Sequence, residues 1–217
     1  MKKLIKLSGL IAIAFVLTLS ACKKDDNTDD TTPTPTAYFT FAKVGNIANY
    51  TTSAVIPVLG TKTGTMKQTV LSKAGDNVYM VLTEMDLGLS ALGVPSTVDT
   101  SYWFISNTEL ADVDDAAGTN KFMYFAKGDA VGKAYNLTDL TGTTTRTIVS
   151  TSESVSTTAG TFSTYRIKET NDADANESEY FFHNTAGMVK TNIKVNMVYS
   201  GFPITVNIEM KLDSKNF

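Results

Sequence analysis

The chain has 217 residues, a formal charge of −3, and 42% hydrophobic against 19% charged residues. That is a globular composition, and a chain of this length buries a core without disulfides or a structural metal. Arg146 and Arg166 are its only arginines, Cys22 its only cysteine and His183 its only histidine. These counts exclude a basic nucleic-acid footprint, an internal disulfide, a zinc site built from His and Cys, and Cys–His catalysis.

The first elements are export signals. Lys2, Lys3 and Lys6 precede an almost unbroken apolar run, Leu7–Leu17, the charged and hydrophobic regions of a secretory leader. The run is shorter than the about 20 residues a transmembrane helix needs. It ends in Leu19-Ser20-Ala21-Cys22, which resembles the lipobox of bacterial lipoproteins at every position. The resemblance implies cleavage after Ala21 and diacylglyceryl transfer to the Cys22 thiol, followed by acylation of the new amino terminus. Each buried CH₂ adds about 0.8 kcal/mol of membrane affinity, so two or more chains anchor stably. With the three leader lysines removed, the remainder carries −6. Lys24-Asp25-Asp26 resembles the signal that sends some lipoproteins to the outer face of the outer membrane.

Asp25–Thr36 uses only Asp, Asn, Thr and Pro. Such a segment has no apolar side chain to offset the entropy of ordering, so a disordered tether over 22–36 is expected. Its Thr-Pro repeats favour extended, partly stiff geometry, a reach of roughly 35 Å at about 3 Å per residue. Asp30-Thr31-Thr32 also resembles a bacterial O-glycosylation acceptor.

From Tyr38 the hydrophobic period is two. Val189, Thr191, Ile193, Val195, Met197 and Tyr199 fall on one face, with Lys190, Asn192, Lys194 and Asn196 opposite. After Ser200–Pro203, Ile204, Val206, Ile208, Met210 and Leu212 do the same. This spacing predicts a long antiparallel hairpin, dry on one face and wet on the other. Further strands are predicted over 47–55, 64–73, 77–85, 101–106, 121–127, 144–156, 160–170 and 178–184, separated by Gly, Asp and Asn turns. The expected fold is all-β: a curled antiparallel meander over 37–217, half-barrel or barrel-like, with at most short helices.

Two stretches carry a further resemblance. Tyr38-Phe39, then Lys43-Val44-Gly45-Asn46 and Tyr50, look like the opening of many secreted lipoprotein domains. Val155 and Ala159–Ile167, followed by Tyr180-Phe181-Phe182 and Gly187-Met188-Val189, resemble a hairpin of uncharacterised exported proteins. That family is thought to share the half-barrel of Lol-type carriers; Thr158 stands where its usual proline would be.

The chemistry-bearing residues are sparse. No Gly-x-Ser-x-Gly elbow or phosphate-cradling glycine loop occurs. Asp172-Ala173-Asp174-Ala175-Asn176 places oxygens at alternate positions, but Glu177 replaces the turn glycine and His183 the bidentate glutamate of a calcium loop. Asp112–Asp115 with Asn120 is similarly incomplete, and Glu177 and Glu179 share a strand face. The segment Met85–Pro95 is apolar between strands, where connections are normally polar. It reads either as a plug over one end of the sheet or as a lid over an apolar cavity, with Leu87, Leu89, Leu92 and Val94 as candidate ligand contacts.

The expected function is that of an outer-membrane lipoprotein whose β domain is not an enzyme, needs no cofactor or metal, and binds a partner protein or extracellular ligand. The alternative is a carrier or sensor of an apolar molecule with 85–95 as lid. A hydrolase with an unrecognised site ranks last.

Overall fold

The computed structural model describes residues 37–57, 59–90, 94–174, 176–199 and 202–217. The leader, Cys22 and the tether lie outside them. Alternation is what makes the strands. In β1 (Ile47–Ile56), Ala48, Tyr50, Thr52, Ala54 and Ile56 are buried and their neighbours are not. The meander continues through β2 (Gly60–Gly75), β3 (Val78–Asp86), β4 (Thr97–Ile105), β5 (Glu109–Val113) and β6 (Phe122–Ala126). It then runs through β7 (Ala134–Asp139), β8 (Gly142–Thr157), β9 (Gly160–Asn171), β10 (Glu177–His183), β11 (Gly187–Tyr199) and β12 (Phe202–Lys215). All pairings are antiparallel, in the order β6-β5-β4-β3-β2-β1-β12-β11-β10-β9-β8-β7.

The result is the expected all-β meander, curled into a nearly closed barrel, with 37–217 in one compact unit. The β11–β12 hairpin has the predicted faces: Val189, Thr191, Val206, Met210 and Leu212 are buried. Two strands escape the period-two reading. β5 has only five residues, and β7 is an edge strand whose residues are mostly exposed. β2 and β4 begin four residues earlier than expected, at Gly60 and Thr97. Their added residues are mainly polar and exposed on both faces, so hydrophobic spacing cannot mark them.

β6 and β7 bound the sheet on its two sides, and among the described residues no ladder joins them. Arg146 of β8 bridges the gap. Its Nε donates to Glu169 Oε2 at 2.6 Å, Nη1 to the Phe122 carbonyl at 3.0 Å and Nη2 to Asp112 Oδ2 at 2.7 Å. The guanidinium carbon lies 3.9 Å from the Phe122 ring centroid and 3.7 Å from that of Tyr124. Arg146 is 5% exposed. Burial opposes its charge, but Tyr124 and the carboxylates of Asp112 and Glu169 hold its pKa above the ordinary arginine value. One side chain thus links β8 and β9 to β5 and β6.

The core is aromatic. Phe125 stacks on Tyr165 at 4.3 Å, and Trp103 meets Phe182 edge-on at 6.2 Å. Before β1 the chain runs without ladder pairing and sends Phe39 and Phe41, each 5% exposed, into this core.

Candidate functional site

Three places on the described barrel offer a surface for recognition: its covered end, its interior and its outer wall.

The segment after β3 folds over one end. Asp86 Oδ1 accepts the Gly88 amide at 2.7 Å, and the buried Thr52 hydroxyl donates to the Asp86 carbonyl at 3.1 Å. Leu89, 6% exposed, packs on Ala54, Ile56 and Val206, with Leu87 against the same cluster. The close approach depends on two glycines. A Cβ on Gly64 would lie 2.0 Å from the Asp86 carbonyl oxygen, and one on Gly88 2.1 Å from that of Thr63. Of the four residues singled out in the sequence, Leu87 and Leu89 therefore come together inside the cap. Val94 is 40% exposed, and Leu92 lies outside the described residues.

Inside the barrel, among the described residues, aromatic and aliphatic side chains leave a cavity of ≈ 30 Å³ lined by Phe41, Tyr50, Trp103, Met188 and Phe217 among others. It has room for a water molecule, far below the several hundred Å³ of a small-molecule site. The Tyr50 hydroxyl donates to the Met188 carbonyl at 2.9 Å, and burial raises its pKa.

The outer wall carries a groove of ≈ 520 Å³ across β1, β10, β11 and β12. Ser53, Glu179, Asn192, Lys194, Asn207 and Glu209 line it, with half-exposed Val55 at its side. Glu209 is held by Lys190 at 2.9 Å and Lys211 at 2.8 Å. Glu179 accepts from Asn192 Nδ2 at 3.1 Å and pairs with Arg166, which also reaches Glu153. Lys194 has no ion-pair partner among the described residues. The sequence shows Glu177 and Glu179 on one strand face, a spacing common on wet faces, and this face forms one rib of the groove. The other ribs come from residues 53–55, 192–194 and 207–209, which only the ladder brings alongside.

Glu179 sets a pH dependence. Burial alone would raise its pKa, but the hydrogen bonds from Arg166 and Asn192 outweigh burial and hold it below the usual glutamate value. A carboxyl lowered on folding stabilises above its unfolded pKa and loses that contribution as pH falls through the folded value. Glu179→Gln is therefore expected to lose about 1 kcal/mol at pH 7 and less at pH 3, where the carboxylate is being protonated. Urea midpoints at the two pH values test this, and equal losses at both would contradict it.

The aspartate clusters serve turns and pairs. Asp172 Oδ1 accepts the Thr143 amide at 2.7 Å, and Asp174 Oδ1 the Asn176 amide at 2.7 Å. Asp112 pairs with Arg146, Asp114 with Asn120, and Asp115 accepts the amides of Ala117 and Thr119. Among the described residues no three His, Cys, Asp or Glu side chains converge as metal ligands. His183 Nδ1 accepts the Thr185 amide at 3.2 Å, and burial, with the charge of Lys215 nearby, lowers its pKa. No described helix is long and apolar enough to cross a membrane.

In comparisons with known proteins, no family model, no curated protein and no solved structure matches this chain.

Proposed function

We propose that this protein is a lipid-anchored, exported recognition module. Cys22 holds it to the outer membrane, Lys24-Asp25-Asp26 directs it toward the cell surface, and the 22–36 segment is its tether. The β domain is non-catalytic and binds a partner protein or extracellular ligand on its outer wall. The observation carrying this reading is the contrast, among the described residues, between a cavity of only ≈ 30 Å³ beside Phe41 and Trp103 and an open outer groove of ≈ 520 Å³ holding Lys194, Ser53 and Asn207. The same contrast lends less support to a carrier with 85–95 as a lid, because that segment is fastened by backbone contact to β2.

Metabolic labelling with palmitate tests the anchor. The parent chain is expected to take up label and sediment with membranes, and Cys22→Ala to lose the label and enter the soluble fraction. Identical labelling and fractionation of the two would end the reading. Protease treatment of intact cells tests display: a domain cleaved without lysis faces outward, and a fully protected one does not.

A further inference from the structure

The twelve-strand sheet is complete without residues 38–42, yet these residues fill part of its interior. Among the described residues, one backbone hydrogen bond ties them to the strands and turns of the wall, from the Thr40 amide to the Asn184 carbonyl at 3.1 Å. The Phe41 carbonyl is otherwise occupied locally, by Lys43 N at 3.1 Å and Asn46 Nδ2 at 2.6 Å. What seats the segment is its rings. Phe39 meets Phe125 edge-on at 5.4 Å, and Phe41 meets Trp103 edge-on at 6.3 Å. The wall has a recess for Phe41 at Gly187, where φ is +73° and a Cβ would stand 3.0 Å from the ring. The ≈ 30 Å³ cavity lies directly against Phe41.

A strand held by a ladder leaves the fold only when the ladder breaks, whereas a segment held by side chains and one amide can leave alone. Withdrawing it removes no strand pairing and uncovers a pocket walled by Trp103, Phe125, Phe182 and Met188. We propose that Tyr38–Phe41 is a displaceable plug, and that the pocket it fills is a binding site for an apolar ligand carrying phenyl-sized groups. The plug is this chain's own stand-in for that ligand, with two rings spaced one residue apart. The inference does not depend on lipidation of Cys22.

Hydrogen exchange on the full chain, with N-phenyl-1-naphthylamine as the probe ligand, tests it. The Thr40 amide is expected to exchange at least 100-fold faster than the β1–β12 ladder amides. Exchange at the ladder rate would mean that the segment opens only with global unfolding, and would overturn the proposal. The variant Phe39→Ala/Phe41→Ala is expected to bind the probe at least tenfold more tightly than the parent, with energy transfer from Trp103, the single tryptophan. A folded variant with unchanged affinity would also overturn it. If that variant fails to fold, the parent chain decides: saturating probe raises Thr40 exchange at least tenfold if it displaces the plug, and an unchanged rate rejects the site.

Discussion

Replacing Arg146 with methionine is expected to cost about 3–5 kcal/mol, a fall of roughly 6–20 °C in Tm for a domain of this size. The loss has several parts. Asp112 and Glu169 are left facing each other's charge without the guanidinium between them. The Phe122 carbonyl loses its donor, and the rings of Phe122 and Tyr124 lose their cation. Removing the buried guanidinium is costly because the two carboxylates it leaves, 35% and 21% exposed, are only partly reached by water and lie close to each other. Arg146→Lys keeps the charge but gives up the planar fork that reaches three acceptors at once, so an intermediate loss is expected. The damage should also be local. The amides of Gly132 and Ile148, whose acceptors are the carbonyls of Ile148 and Lys133 beside the gap, should exchange faster than those of β1 and β12. A Tm within about 3 °C of the parent would show that the barrel edge does not depend on this clasp.

Gly64→Ala is expected to displace the cap. The added methyl group would meet the Asp86 carbonyl oxygen and the Gly88 amide nitrogen, which are backbone atoms and cannot swing aside. The connection must lift, exposing Leu89 and leaving the buried Thr52 hydroxyl without its acceptor. Burial of one leucine is worth about 1.5–3 kcal/mol, and an unsatisfied buried hydroxyl costs about 1–3 kcal/mol. The expected total is about 2.5–6 kcal/mol, with new thermolysin cleavage within 86–96 under native conditions. Gly88→Ala approaches the same contact from the other side, against the Thr63 carbonyl, and adds strain at φ +68°. Parent-like Tm and protease resistance for both variants would mean that the cap tolerates a gap and that Leu89 is not what holds it down.

How much of this was readable beforehand depends on the range of the interaction. The faces of β11 and β12 follow from alternation alone, because successive side chains on a strand point to opposite sides. Turn positions such as Asn77, at φ 62°, follow from residues that tolerate left-handed backbone. The apolar run after Met85 reads as a plug or a lid, since exposed connections are seldom so apolar, and in the fold Leu87 and Leu89 pack on Ala54, Ile56 and Val206. Its tightness does not read, because the contact between Gly64 and Asp86 exists only once β2 and β3 are paired in their particular register. β5 and β7 were missed for a related reason: a short or exposed edge strand takes its geometry from its neighbour's ladder more than from its own side chains. The outer groove is hidden in the same way, its ribs drawn from four strands separated by up to 156 positions in the chain.

Hydrophobic alternation and turn chemistry are local properties, so the all-β class and the centres of the long strands are legible in the residues alone. The near closure of the sheet, the fastening of its gap by Arg146 and the seating of Phe39 and Phe41 inside it appear only in the folded chain. Those outcomes depend on accumulated strand twist and on contacts between residues far apart in the chain, and no local pattern encodes such distances.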